Sequence, residues 1–316
     1  MGHAHAHHGG HGHHHGHGHG HVHAHGHVHA LPTAVDRRYL IGIGLNLAFV
    51  VLEFGAGVVA GSTALLADAG HNLSDVLGLA LAGGAAWLAA RRASARRTYG
   101  FGKATVLAAL ANAVLLVLAC GAIAWEAVRR IGEPAEVRPG LVMAVAAAGI
   151  VINLGTALLF RRGSEHDVNL RGAYLHMAAD AAVSLGVVVA GLLIWLTGAA
   201  WIDAAVSLAI VAVILWGTWG LLRESLDMAL DAAPARLDMG ELGRFLAALP
   251  GVKDQHDIHV WNLSATETAL TAHLVRDEPG DRAFFDQAAQ GLHERFGIAH
   301  ATLQVETGAG KACPDC

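Results

Sequence analysis

Between Tyr39 and Leu222 the chain carries six long apolar runs, which leave it few ways to fold. They lie near residues 39–60, 64–90, 106–128, 141–160, 172–196 and 201–222, and each is long enough to cross a bilayer as a helix. The 316-residue chain is 54% hydrophobic and only 15% charged, which is too apolar for an ordinary soluble protein. The sequence therefore predicts an integral, multi-pass membrane protein.

The basic residues that flank these runs are unevenly divided between the two faces of the membrane. One face receives Arg37 and Arg38, then Arg91, Arg92, Arg96, Arg97 and Lys103, then Arg161, Arg162 and Arg171. The opposite face receives Arg129, Arg130 and Arg138. Because Arg and Lys accumulate on the cytoplasmic side, we expect both chain termini in the cytoplasm. The compact loops and short chain suit a bacterial inner membrane.

Residues 1–30 form a low-complexity tract that holds 15 of the 23 histidines, mixed mainly with Gly and Ala. Such a composition cannot bury a core, so the tract is expected to be disordered without metal. A purification tag is an alternative explanation, but tags are uninterrupted His runs, whereas this tract alternates. We interpret it as a segment for weak metal capture or buffering.

After Arg223 the composition changes to a soluble pattern, with a boundary near residues 223–235. Helical patterns near 238–249 and 281–296 accompany strand patterns at 256–263, 267–275 and 300–306. This αββαβ order predicts a small α+β domain of ferredoxin-like type. The expected organisation is a His-rich tract (1–30), a membrane domain of six helices (31–222), the α+β domain (223–308) and a tail (309–316).

The apolar runs contain two copies of the pattern His-x-x-x-Asp, His71 with Asp75 and His176 with Asp180. Residues four apart share one face of a helix, so each pair presents an imidazole and a carboxylate together. Placing an ionisable side chain at mid-membrane costs about 2.5–3.5 kcal/mol even on the scale derived from insertion experiments, which gives the lowest values. These four side chains therefore indicate a functional site. Two such helices side by side would supply four ligands for a tetrahedral divalent metal.

Two imidazoles with two carboxylates favour zinc as the ion at this site. Cobalt, nickel and cadmium are competitors, whereas magnesium and manganese prefer oxygen ligands alone. The metal and protons compete for the same ligand atoms, because a ligand must lose its proton to bind metal.

Other polar residues in the membrane runs are candidates for supporting roles. Asp68, one turn before His71, is expected to hold a ligand in place or to lie in the entry path, and Asn72 and Ser74 to orient ligands by hydrogen bonds. Glu53 is expected to face a water-filled cavity. For Asp68, Asn72 and Ser74, ordinary helix packing is an equally good explanation.

The C-terminal domain offers a second candidate metal site. His256 and His273 lie on adjacent strands expected to pair as a hairpin, and Glu306 ends the third strand, so the three can converge at one end of the sheet. His300 lies beside the same strands. The tail holds Cys313 and Cys316, a pair with a two-residue gap that suits a soft cation, although a frayed tail is the alternative.

These residues resemble the cation diffusion facilitator family of metal exporters, in particular its zinc-transporting branch. The resemblance covers about residues 39–306 and is carried by ALLADAGHNLSD, RRTYGFGKATVLAALAN, NLRGAYLHMAADAAVSLG, WID and HDIHVWNLSATETALTAHL. It implies a homodimer with six membrane helices, a cytoplasmic ferredoxin-like domain and zinc export coupled to inward proton movement. It places the transport site at His71, Asp75, His176 and Asp180, and cytoplasmic metal sites at His256, His273, His300, Glu306 and the tail cysteines.

Two features depart from the family pattern. Thr105 stands where members commonly have an acidic residue, which argues against a loop metal site. The loop between the fourth and fifth runs holds His166 alone, whereas some members have a His-rich loop there.

The function expected from the sequence is divalent metal efflux, most simply zinc/proton antiport by alternating access, with zinc, protons and the lipid bilayer as partners and no nucleic acid. A membrane-anchored zinc sensor or store without transport is the alternative function. As a separate structural expectation, Asp203 caps the helix that follows WID. An enzyme is not expected, since the chain lacks the His-Glu-x-x-His spacing of a metallohydrolase.

Overall fold

A computed structural model describes residues 37–132, 136–161 and 168–307 of the chain. The membrane domain contains the helices α1 (Arg37–Ala60), α2 (Thr63–Ala89), α3 (Lys103–Gly132), α4 (Pro139–Arg161), α5 (Val168–Thr197) and α6 (Trp201–Ala229). They correspond to the apolar runs predicted from the sequence. The His-rich tract, the loop with His166 and the tail with Cys313 and Cys316 lie outside the described residues.

Five of these helices are long and apolar enough to cross a membrane, and α1 adds a shorter apolar segment, Leu47–Ala60. Large apolar side chains face outward, among them Trp125 and Val151, which are 70% and 72% exposed. The buried positions between helices are rich in small residues such as Ala60, Ala64 and Ala146. Small residues allow close helix approach where lipid, and not water, surrounds the bundle. The predicted multi-pass membrane domain is confirmed.

The N-terminus of α2 is capped by a carboxylate from another helix. Asp203 on α6 is 2% exposed, and its Oδ2 accepts hydrogen bonds from the Thr63 backbone N at 2.6 Å and the Thr63 Oγ1 at 2.8 Å. Its Oδ1 accepts from Ser62 Oγ at 2.5 Å. The expectation that Asp203 caps its own helix is therefore corrected: the N-cap of α6 is Ala200, which makes no side-chain hydrogen bond.

The C-terminal domain contains α7 (Met239–Ala247), β1 (Val252–Asn262), β2 (Thr268–Arg276), α8 (Arg282–Phe296) and β3 (Ile298–Thr307). The sheet order is β1-β2-β3, with β1 antiparallel and β3 parallel to β2. Its core includes Leu246, Leu270, Leu274 and Leu292, all at most 1% exposed. This arrangement confirms the predicted α+β domain, and β1 begins earlier than the expected residue 256.

The start of α3 contacts the turn between β1 and β2. Thr105 Oγ1 accepts a hydrogen bond from the backbone N of Ala265 at 3.0 Å and donates to the carbonyl of Gly102 at 2.8 Å. A Cβ on Gly102 would lie 2.8 Å from the carbonyl oxygen of Leu263. Thr105 therefore joins the two domains at the position where an acidic residue was expected from the family pattern.

Replacing Gly102 with alanine is expected to loosen this contact. The new methyl group would press on backbone, which cannot give way as a flexible side chain can, and overpacking of this kind costs about 1–3 kcal/mol. We expect hydrogen exchange at the Ala265 amide to become at least roughly ten-fold faster. The matched control is Gly121→Ala on α3, because a Cβ there meets nothing within 4 Å. Equal exchange rates in the two variants would contradict the assignment.

Candidate metal centres

Helices α2 and α5 contact each other and bring the two His-x-x-x-Asp pairs together. His176 Nε2 lies 3.1 Å from Asp75 Oδ2 and 3.6 Å from Asp180 Oδ2. His71 Nε2 lies 3.4 Å from Asp180 Oδ1 and 3.9 Å from Asp75 Oδ2. Each imidazole thus contacts carboxylates of both helices, so the four side chains form one cluster.

These separations suit a tetrahedral ion. With metal–ligand distances of about 2.0–2.2 Å, neighbouring ligand atoms of tetrahedral zinc lie roughly 3.3–3.6 Å apart. The four imidazole–carboxylate distances run from 3.1 to 3.9 Å, so small side-chain movements would complete such a coordination shell. The ligand atoms of His71, Asp75 and Asp180 lie within 4.8 Å of one another, and His176 contacts both carboxylates.

A cavity of about 1340 Å³ connects this cluster with the C-terminal domain. His71, Asp75, His176 and Asp180 line its inner part, and Arg236, Asn262, Ala265 and Thr266 line it near the C-terminal domain. The side chains of His71 and Asp75 are 19% and 27% exposed, whereas that of Asp180 is 2% exposed. The cluster is therefore reached from the side of the molecule that carries the C-terminal domain.

Two of the residues predicted to support the cluster, Asn72 and Asp68, form hydrogen bonds with other buried side chains. Asn72 donates from Nδ2 to Glu53 Oε2 at 3.1 Å, and Ser184 donates from Oγ to Asp68 Oδ2 at 2.8 Å. Ser74 is buried on the same helix as Asn72. Glu53 is fully buried, so the expectation that it faces a water-filled cavity is wrong. The sequence analysis did not predict a role for Ser184, although it lies one turn after Asp180 on the same helix and could have been considered for that reason.

A second cluster forms at one end of the sheet in the C-terminal domain. His273 Nδ1 lies 2.8 Å from Glu306 Oε1, and His256 Nε2 lies 3.4 Å from Glu306 Oε2. His256 and His273 are direct partners in the antiparallel pairing of β1 and β2. Two imidazoles and a carboxylate within 4.8 Å form a donor set that fits zinc. The expected convergence of these three residues is present in the structure.

Asp257 extends this cluster and was not foreseen from the sequence. In a regular strand its side chain would point away from that of His256, but its φ of 52° lies in a register shift between His256 and His259. As a result, Asp257 Oδ2 lies 3.6 Å from His273 Nε2. Its other oxygen, Oδ1, lies 2.6 Å from His259 Nε2. The bulge thus places a further carboxylate beside the cluster.

The structure does not bring His300 to the cluster, which corrects that expectation. In the parallel pairing of β3 with β2, His300 lies opposite Ala269, whereas His273 lies opposite Gln304. His300 is therefore near the other end of the strand. Its ring instead meets Tyr99, with ring centroids 6.2 Å apart.

Both domains match known protein families. The model of the cation efflux transmembrane domain matches residues 39–228, and the model of the cytoplasmic domain of cation efflux proteins matches residues 234–308. A solved structure, the metal-bound C-terminal domain of the CzcD transporter from Cupriavidus metallidurans, is 35% identical over 22% of this chain and 99% of that one, with a TM-score of 0.21.

Full-length relatives are similar over most of the chain. The metal cation efflux system protein CzcD of Cupriavidus metallidurans is 35% identical over 87% of this chain and 88% of that protein. The zinc transporter ZitB of Escherichia coli is 36% identical, with 89% and 90% covered. A cadmium, cobalt and zinc/H(+)-K(+) antiporter of Bacillus subtilis is 30% identical, with 85% and 88% covered. Divalent metal cation efflux is thus the activity class, and the chain belongs to the cation efflux family of membrane transporters.

Proposed function

We propose that this protein exports zinc from the cytoplasm in exchange for protons, by alternating access of the cluster formed by His71, Asp75, His176 and Asp180. The observation that carries the proposal is the meeting of two imidazoles and two carboxylates from α2 and α5 at the wall of a large cavity. Cadmium, cobalt and nickel are competing cargoes for the same donor set.

Proton exchange follows from the chemistry of these ligands. An imidazole must be unprotonated to bind a metal ion, and imidazoles gain and lose protons in the physiological pH range. A cluster that opens to the cytoplasm near neutral pH binds zinc. When the same cluster opens to a more acidic exterior, protons displace the ion. His71 and His176 therefore take part in the proton coupling, while Asp75 and Asp180 supply negative charge to balance the divalent ion.

The conformation described here is the one open to the cytoplasm in this proposal. Its cavity runs from the cluster toward Asn262 and Thr266 in the C-terminal domain. The basic residues concentrated on that side of the apolar runs support a cytoplasmic location for both termini, and the compact loops suit a bacterial inner membrane. An outward-open state requires α2 and α5 to close this cavity and open the other side.

The test is zinc flux in proteoliposomes that contain the purified protein and a zinc-sensitive dye. When the lumen of the proteoliposomes is more acidic than the outside solution, zinc added outside should accumulate in the lumen. Protons should leave the lumen in exchange. Collapse of the pH gradient by a protonophore should stop accumulation. A zinc sensor or store would bind zinc in detergent but produce no flux, which separates that alternative from transport.

We also propose a regulatory role for the second cluster. His256, His273 and Glu306 would hold a resident zinc ion, with Asp257 as a further oxygen donor. In a homodimer, metal binding here would tighten the contact between protomers and favour transport when cytoplasmic zinc is high. The tail cysteines Cys313 and Cys316, near the end of β3 in sequence, would supplement this site.

Replacing His273 with alanine is expected to raise the zinc concentration for half-maximal activation by at least about ten-fold, because it removes one ligand from the second cluster. Flux at saturating zinc should persist, since the membrane cluster is unchanged. The measurement is initial flux against zinc on the cytoplasmic side. His293→Ala, on the exposed surface of α8, is the matched control. An activation curve identical to that of the control would rule out regulation by this site.

We propose the domain organisation expected from the sequence: a His-rich tract (1–30) for weak metal capture, a membrane domain (31–222), the regulatory domain (223–308) and a tail (309–316). Helix α6 continues to Ala229, within the boundary region expected near residues 223–235. The two family matches, at residues 39–228 and 234–308, support the division between the second and third of these segments.

A further inference from the structure

The turn between α2 and α3 carries positive charge that the rest of the protein does not balance. Its four exposed arginines are Arg91, Arg92, Arg96 and Arg97. Neither Asp nor Glu occurs in residues 76–125. Among the described residues, no carboxylate forms an ion pair with any of these arginines, whereas Lys103 at the start of α3 is paired with Asp231. The four guanidinium groups are therefore available to an anion from outside the chain.

The length of α2 places this turn at the membrane surface. α2 has 27 residues and is therefore about 40 Å long, close to the roughly 40–45 Å thickness of a bilayer with its headgroup regions. Trp87 lies in the last turn of α2 and is 65% exposed. Tryptophan is enriched at the headgroup level, because its ring is largely apolar and its N–H group is polar. The arginines that follow α2 accordingly lie at the level of the lipid phosphates.

Two aromatic rings hold arginines of this turn in place. The Cζ atom of Arg91 lies 4.0 Å from the centroid of the Trp87 ring, and that of Arg97 lies 4.6 Å from the centroid of the Phe101 ring. A guanidinium group held over the face of a ring keeps the N–H groups on its edge free to donate. These N–H groups match two oxygens of a phosphate, to which arginine binds through two parallel hydrogen bonds.

The backbone of the turn is fixed by its own hydrogen bonds. Ser94 and Arg97 exchange two backbone hydrogen bonds of 3.0 Å each, and Ser94 Oγ accepts a third from the backbone N of Arg97 at 3.2 Å. The backbone N of Gly100, a residue with a φ of 68°, then donates to the carbonyl oxygen of Arg97 at 2.9 Å. Because the turn is already ordered, little conformational entropy is lost when it binds a ligand.

We propose that the α2–α3 turn binds the phosphate headgroups of anionic lipids in the leaflet that faces the C-terminal domain. The charge of the four arginines complements these headgroups, and Trp87 beside them contacts the upper part of the acyl chains. A soluble acidic partner fits less well, because the arginines lie at the headgroup level and Gly102, at the end of the turn, already packs against Leu263 of the C-terminal domain. Bound lipid phosphates fix the end of α2 and the start of α3 at the membrane surface.

The experiment measures lipid binding to the full-length protein in detergent by native mass spectrometry. The probes are phosphatidylglycerol and phosphatidylcholine with identical acyl chains. We expect the wild type to bind phosphatidylglycerol at least about ten-fold more tightly than phosphatidylcholine. The double variant Arg92→Gln/Arg96→Gln should lose at least about ten-fold in affinity for phosphatidylglycerol, because each basic residue near an anionic surface contributes a factor of roughly five.

The control for this variant is Arg244→Gln/Arg282→Gln, which removes the same charge from exposed positions on α7 and α8. It should bind both lipids as the wild type does. Inorganic phosphate or a soluble polyglutamate peptide, each added at the molar concentration of the lipid, should leave the phosphatidylglycerol bound. Displacement by either would overturn the proposal and show that the turn binds a soluble anion.

Two further results would also overturn the proposal. One is equal affinity of the wild type for the two lipids, and the other is wild-type binding of phosphatidylglycerol by Arg92→Gln/Arg96→Gln. If the double variant fails to elute as a single folded species, Arg96→Gln alone provides the same comparison, with an expected loss of about five-fold. The measurement requires no zinc flux, so its result does not depend on the proposed antiport.

Discussion

Replacing Asp75 with asparagine is expected to reduce zinc flux in proteoliposomes by at least about 100-fold, because even the loss of a group that merely orients a metal ligand costs up to about that factor. Asp75 Oδ2 lies 3.1 Å from His176 Nε2 and 3.9 Å from His71 Nε2, between the two imidazoles. Asparagine has nearly the same shape but removes the negative charge and one oxygen donor. The measurement is the initial rate of pH-driven zinc uptake at saturating zinc.

The control for this variant is Asp286→Asn on the exposed face of α8, which makes the same chemical change at a side chain that is 73% exposed. Its flux should equal that of the wild type. Zinc binding in detergent should also weaken in Asp75→Asn, so that lost flux can be traced to lost binding. If Asp75→Asn retained pH-driven flux, the membrane cluster would not be the transport site.

Replacing Asp203 with asparagine is expected to destabilise the membrane domain by about 2–4 kcal/mol, because buried donors that lose their acceptor each cost roughly 1–3 kcal/mol. The two oxygens of Asp203 accept from Ser62 Oγ, from Thr63 N and from Thr63 Oγ1. An asparagine side chain would turn an N–H₂ group toward one set of these donors. The measurement is the free energy of unfolding by SDS titration in mixed micelles.

The matched control is Asp227→Asn, an exposed position near the other end of α6, for which little change in the free energy of unfolding is expected. Zinc affinity offers a second readout. The hydrogen bonds that Asp203 accepts fix the start of α2, the helix that carries His71 and Asp75, so a folded Asp203→Asn protein should bind zinc more weakly. Wild-type unfolding and wild-type affinity together would show that this cap contributes nothing to either.

The hydrogen bonds around Asp203 limit how far α2 and α6 can separate during alternating access. They tie the first turn of α2 to α6, and Ser207 on α6 adds a hydrogen bond to the carbonyl oxygen of Thr63 at 3.2 Å. Because hydrocarbon offers no competing donors, hydrogen bonds of this kind are retained when helices move. We therefore expect α2 and α6 to move as one unit at this end of the membrane domain. The separation of α2 and α5 is expected to change near the cluster of His71, Asp75, His176 and Asp180.

Several features were determined by local sequence patterns. The apolar runs specified the membrane helices, because a chain crossing hydrocarbon must satisfy its backbone within each segment. The alternating residues around His256 and His273 specified two strands that form a hairpin with these histidines opposite each other. The four-residue spacing within each His-x-x-x-Asp pair specified which side chains share a helix face.

Other features depend on which helices and strands become neighbours, and local pattern carries little information about that. The hydrogen bond that Asn72 donates to Glu53 joins α2 to α1, and Asp203 caps a helix that begins 140 residues earlier in the chain. His300 was expected among the cytoplasmic metal ligands because the family resemblance placed it there. The parallel register of β3 places it by Tyr99 instead.

The sequence by itself determined the elements of this protein and the ligand pairs that they carry, because helix and strand periodicity act over a few residues. Only the tertiary structure decided how those pairs combine: that α2 and α5 put His71 within 3.4 Å of Asp180, and that a bulge turns Asp257 toward His273. The physical reason is that coordination distances depend on helix packing and strand register, which are set by contacts between residues far apart in the chain.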